Sequence, residues 1–198
     1  NLYDVCLISE PLFNFNKRLK KNFVEEGIGL LTKYTIRFAK ENNLKFVFAI
    51  KYGKFNGEHV IKKELDFYKK ILTEEDFNYL LSNSNIKKNI YSSYDAVFQS
   101  EVAVGCHTTL LRDKIGLGQK ILSCNFSDFE VLNFPLKGIC SINSCNYKDF
   151  SFRLKNILNE PSDIFFKEIN AKYVMEFDKD TSVIKKIRNQ INTILIPN

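Results

Sequence analysis

The sequence predicts an α/β fold, a parallel sheet with helices on both faces. Three observations predict it. Short, uniformly apolar stretches of strand length recur along the chain, as strands covered on both sides require. Amphipathic stretches of helix length separate them, and that alternation is the signature of parallel strands joined by helical crossovers. No run of about 18 apolar residues breaks the alternation, so nothing reads as a membrane-spanning helix.

The elements follow in order. Tyr3–Ser9 (YDVCLIS) reads as the first strand. Leu12–Gly29 reads as polar and irregular, with Gly27 and Gly29 as breakers. Leu30–Asn42 places Leu30, Leu31, Tyr34, Phe38 and Ala39 on one helical face. Leu44–Ile50 (LKFVFAI) is a buried strand, and Lys51–Gly57 a loop. Val60–Leu72 carries Ile61, Leu65, Tyr68 and Leu72 on one amphipathic face, and Glu74–Ser82 continues as a short helix. Ala96–Val104 is compatible with helix or strand, with a strand at Val102–Val104. Thr108–Leu117 is a helix ending at Gly118, Lys120–Cys124 a strand and Gly138–Ile142 another. Lys148–Leu158 is a helix stopped before Pro161, Ile164–Phe177 looks helical, and Val183–Leu195 is a final helix with an Ile stripe opposite Lys185, Lys186 and Arg188.

Composition narrows the class. The 198 residues are 44% hydrophobic and 26% charged, the balance of a globular chain rather than a disordered one, and a length suited to one domain. Lys and Arg number 29 against 23 Asp and Glu, a net charge of +6. The excess is mild, and its only tight cluster is Lys17–Lys21, so nucleic acid is not the expected partner. The five cysteines form no C-x-x-C pair and the histidines are only His59 and His107, which argues against a disulfide framework and a His-based metal site and for a reducing cytoplasmic compartment. The start at Asn1 suggests a piece of a longer protein.

In parallel sheets, ligands bind beyond the carboxyl ends of the strands, at the switch point of strand order. The informative segment is Ser92–Asn125. There a strand ends in Val104-Gly105, the chain turns, and Thr108-Thr109 open a helix. A Thr cap leaves helix N–H groups facing outward, where they and the helix dipole attract a phosphate. Gly105 lets a ligand approach the backbone. Asp113, one turn after Thr109, is placed to accept hydrogen bonds from ribose hydroxyls. Ser9 and Glu10 follow the first strand and Lys51 the second. Ser93 can donate to phosphate or carboxylate. His107, beside the Thr pair, is a phosphate contact or an acid/base. Asn125, after the KILSC strand, lies on the edge that reaches a base or sugar. Asp178-Lys179-Asp180 has the form of a D-x-D metal motif but reads as a turn and cap for the last helix.

The string VG-x-x-TTLL-x-D-x-x-G-x-G-x-K-I-L at Val104–Leu122, with Ser92-Ser93-Tyr94 upstream, resembles the nucleotide-binding element of GT-B glycosyltransferases, in their C-terminal Rossmann-like domain. It is similar to bacterial surface-carbohydrate transferases of Kdo and related acidic sugars from CMP-activated donors, of the kind that build lipopolysaccharide and capsule. Asp113 stands where those enzymes more often carry Glu. The resemblance implies a Rossmann-like nucleotide-sugar-binding domain over residues 1–182, with helix 183–198 packed on it or on a missing partner domain. It implies a sugar transferred from a nucleotide donor to a surface glycan. Ser9, Glu10, Lys51, Ser93, Gly105, His107, Thr108, Thr109, Asp113 and Asn125 would face the donor, with Lys51 neutralising its phosphate. Glu10 and His107 are the weak catalytic candidates, because in such enzymes the catalytic group comes largely from an N-terminal domain or partner chain. No metal or cofactor is expected beyond the nucleotide-sugar itself, and the alternative to packing for the last helix is a peripheral contact with the inner membrane face. The alternatives are a nucleotide-sugar epimerase or hydrolase, a glycerophosphotransferase, or a non-catalytic nucleotide-binding module.

Overall fold

The structure is a computed structural model, described for residues 1–11, 21–52, 56–85, 92–127 and 129–169. The final helix, the D-x-D triplet and the Lys17–Lys21 cluster up to Lys20 lie outside these residues. Five strands, β1 (Tyr3–Ile8), β2 (Phe46–Ala49), β3 (Ser100–Gly105), β4 (Lys120–Cys124) and β5 (Ser141–Ile142), form one parallel sheet in the order β2-β1-β3-β4-β5. Val5 pairs with Phe46 on one side and Val102 on the other, so β1 is an interior strand, and β2 and β5 are the edges. This is the expected α/β, Rossmann-like architecture. The order reverses between β1 and β3, which makes the space beyond their carboxyl ends the switch-point crevice.

The central strands are apolar on both sides because helices cover both. Cys6, Val102, Ala103, Val104, Ile121 and Leu122 are fully buried. One face carries α1 (Lys21–Glu41) and α6 (Tyr147–Asn159), joined by Tyr34, Phe38, Phe126 and Phe150 in edge-on and tilted ring contacts. The other carries α4 (Ser92–Phe98) and α5 (Thr109–Gly116). The helix α2 (Glu58–Ile71) reaches the ends of β1 and β2 through Glu64 and Tyr68, and α3 (Glu74–Ser82) returns beside β2. The last described helix, α7, spans Ser162–Glu168. Among the described residues no helix is long and apolar enough to cross a membrane.

Several expectations are corrected. Residues 21–29 are helical, and Gly27 and Gly29 lie inside α1 instead of breaking it. Gly27 is there for contact: a Cβ on it would stand 2.9 Å from the Phe126 carbonyl carbon and 3.0 Å from Ser127 N. Ser92 and Ser93 open a helix, and the ambiguous 96–104 stretch divides between the end of α4 and β3, which runs on to Gly105. The strand expected from Gly138 pairs only at Ser141–Ile142, and α7 stops at Glu168, with Ile169 already extended.

Two buried lysines close the amino-terminal edge of the sheet. Lys114 donates to the carbonyls of Val97 and Ser100 and to Gln119 Oε1, at 2.7, 2.8 and 3.1 Å. Lys120 donates to the carbonyls of Ile157 and Glu160 and pairs with Glu101 at 2.7 Å. A lysine there satisfies carbonyls left open at the end of α6 and meets the negative end of its dipole. Burial holds the Lys114 ammonium down at about 8. All five cysteines are free thiols, four of them buried.

Gly27→Ala is expected to destabilise the fold. Alanine gains about 1 kcal/mol of helix propensity, but the Cβ meets backbone that cannot yield, at a cost of about 1–3 kcal/mol. Urea unfolding measures the balance. Lys114→Met should cost about 3 kcal/mol by leaving two carbonyls unpaired. The unfolded chain holds this proton up to 10.5 and the folded one only to about 8, so the wild type gains stability as pH rises through that window. Denaturation across pH 8 to 10.5 should show the gain in wild type and its loss in the variant.

Candidate functional site

The switch-point crevice is built from two loops and one helix. The loop after β1 brings Ser9 and Glu10. The turn between β3 and α5 brings Gly105, Cys106, His107 and Thr108. The Glu10 carboxylate crosses between them: Oε1 accepts from the Cys106 backbone N–H at 2.5 Å and Oε2 from the His107 N–H at 3.2 Å. Oε2 also lies 3.1 Å from His107 Nδ1. Gly105 makes this possible, since a Cβ on it would stand 2.9 Å from Glu10 Oε1. Glu10 is 9% exposed, whereas the His107 side chain is 45% exposed and presents its outer edge to solvent. The hydrogen bond to Glu10 raises the His107 imidazole above its usual value, against partial burial and the charges of Lys51 and Arg112.

A second carboxylate organises the loops from beneath. Glu64, fully buried on α2, accepts from the backbone N–H groups of Lys51 at 2.7 Å and Tyr52 at 2.9 Å, and from the Ser9 hydroxyl. One turn on, the Tyr68 hydroxyl accepts from the Glu10 N–H at 3.0 Å and lies 3.1 Å from Ser9 Oγ. Burial pushes the Tyr68 phenol far above its ordinary value, so it stays protonated. The spacing of Glu64 and Tyr68 puts both on one side of α2, and together they fix the loops after β1 and β2.

The residues singled out in the sequence divide into two groups. Glu10, Gly105, His107 and Thr108 come together at the crevice, whereas the buried Ser9 hydroxyl is turned to Glu64 and Tyr68. Lys51 lies near enough to act electrostatically on His107, with Nζ 5.5 Å from the Tyr52 ring centre. Thr109 is exposed on the first turn of α5 and Asp113 half-buried one turn later. Ser93 and Asn125 serve the scaffold. The buried Ser93 hydroxyl donates to the Ile50 carbonyl at 3.0 Å. The Asn125 amide donates to the Phe129 carbonyl and Asn133 Oδ1, and its own oxygen accepts from Ser127. The expected row of open N–H groups is in large part occupied: Thr108 Oγ1 accepts from Leu110, and Glu10 takes those of Cys106 and His107.

Sequence reasoning passed over Glu64 and Cys106. Glu64 carried a signal, a carboxylate on the apolar stripe of α2 between Ile61 and Tyr68. Cys106 carried none, since its partner Glu10 lies 96 positions away. The residue is 5% exposed, and burial followed by the Glu10 charge pushes its thiol far above its ordinary value. No protein family, no curated protein and no solved structure matches this chain.

Glu64→Leu strands two backbone donors and a serine hydroxyl and should cost about 3–5 kcal/mol. Glu64→Gln, which keeps one carbonyl acceptor, should cost less. Urea denaturation of the pair gives the order.

Proposed function

We propose that this chain is the donor-binding half of a GT-B-type glycosyltransferase, which moves a sugar from a nucleotide-activated donor to a surface glycan. The observation that carries the reading is the Glu10–His107 pair, seated with Lys51 beyond the carboxyl ends of the strands at the β1/β3 reversal. That is where parallel sheets of this order hold nucleotides. Phosphate attraction falls to Lys51, Arg112 and the outer edge of His107, aided by Thr109, because Glu10 already occupies the N–H groups of the turn. Asp113, further along α5, is the candidate for the ribose hydroxyls. The acceptor and much of the catalytic machinery would come from an N-terminal domain or partner chain working at the inner membrane face.

The same pair favours a second reading. A carboxylate-oriented histidine equips the half-fold with its own acid/base, as an epimerase or hydrolase needs. Turnover of CMP- and UDP-sugars without acceptor would select that reading over transfer.

A thermal-shift screen of CMP, CDP and UDP should raise the melting temperature with at least one of them. In titration calorimetry, Lys51→Ala and His107→Ala should each weaken that nucleotide about tenfold, and Thr109→Ala less. The donor-binding reading fails if Lys51→Ala and Thr109→Ala both leave affinity unchanged.

A further inference from the structure

Glu10, Cys106 and His107 also meet a different chemical requirement. A carboxylate oxygen, the thiol sulfur and an imidazole nitrogen, one from each, lie within 4.8 Å of one another. Glu10 Oε2 and His107 Nδ1 are 3.1 Å apart. Two ligands of a tetrahedral zinc, each about 2.0–2.1 Å from the metal, stand about 3.3 Å apart. Cys106 is a buried residue, 5% exposed, and its sulfur belongs to the same group of three ligand atoms.

We infer that Glu10, Cys106 and His107 form a binding site for a divalent cation of the zinc class, with one coordination position left open toward the crevice. The ligand set selects the metal. Sulfur and imidazole nitrogen favour zinc over magnesium or calcium, which take oxygen. Charge balances too: a carboxylate, a thiolate and a neutral imidazole cancel the two positive charges of the ion, so no net charge is buried. On binding, the metal–sulfur bond replaces the thiol S–H and the proton leaves to solvent, while the ion takes the place of the hydrogen bond between Nδ1 and Oε2.

The shell around the ligands is already in place. The Cys106 and His107 backbone N–H groups hold the Glu10 oxygens, and Tyr68 holds the Glu10 backbone from the far side. Such outer hydrogen bonds fix ligand orientation in zinc sites. Three protein ligands with an open fourth position are the pattern of reactive rather than structural zinc. The site stands independently of any nucleotide.

The test is equilibrium dialysis of the chelator-treated full chain against Zn²⁺, followed by Co²⁺ substitution. One Zn²⁺ should bind per chain, and Mg²⁺ in large excess should not displace it. The cobalt form should show a thiolate-to-metal charge-transfer band. Cys106→Ser and His107→Ala should each weaken Zn²⁺ at least tenfold, and Cys106→Ser should abolish the charge-transfer band. Cys145→Ser, which alters the one exposed thiol, should change neither. Circular dichroism and a cooperative melt identify the variants that fold. The inference is overturned if folded Cys106→Ser binds Zn²⁺ as tightly as the wild type, if the cobalt band follows Cys145, or if the wild type binds no zinc.

Discussion

The Glu10 carboxylate joins the β1 loop to the β3–α5 turn across the point where strand order reverses. A parallel sheet of this order opens there, because the loops on either side lead to helices on opposite faces. Glu10 bridges the opening with hydrogen bonds to two backbone N–H groups, bonds that are stronger for being made to an ionised acceptor. Gly105 permits the approach and Tyr68 holds the backbone of Glu10 itself. Through His107 the same carboxylate sets the orientation of an exposed imidazole ring, so the scaffold and the chemistry share one group.

The buried charges are sorted by the polarity of the sheet. Carboxylates, Glu10 and Glu64, sit at the carboxyl edge and accept from N–H groups of the loops. Ammonium groups, Lys114 and Lys120, sit at the amino edge and donate to carbonyls, including those that close α6. In a parallel α/β fold the helices that follow a strand directly begin at the carboxyl edge and those that lead into the next strand end at the amino edge, so unpaired donors gather at the first and unpaired acceptors at the second. Each buried charge therefore meets the backbone groups it can satisfy.

The sheet was legible because its signals are local. Runs such as Val102–Val104 and Lys120–Cys124 carry their burial in consecutive residues, and Thr108 caps its helix as the sequence suggests. Gly27 was misread because its reason lies in Phe126, a contact that no local pattern records. Ser93 and Asn125 sit on the expected edge, yet their partners, Ile50 and Asn133, come from outside their own motifs and commit them to the scaffold. The anion-binding reading of the Thr108-Thr109 turn treated its N–H groups as open. Only the fold brings a carboxylate from 96 residues away to fill them.

That carboxylate constrains what the crevice can attract. A phosphate approaching the turn meets the negative charge of Glu10 where open donors were expected, and in a partly buried site that repulsion is weakly screened. Attraction must then come from nearby cations, and Lys51 and Arg112 are close enough to act electrostatically on His107. A divalent ion on Glu10, Cys106 and His107 would remove that repulsion, since it neutralises the carboxylate together with the thiolate and still leaves a coordination position for an oxygen ligand. The anion preference of this crevice therefore depends on what neutralises Glu10. A nucleotide affinity that rises with zinc would join the two properties at one carboxylate, and one indifferent to zinc would assign the attraction to Lys51 and Arg112.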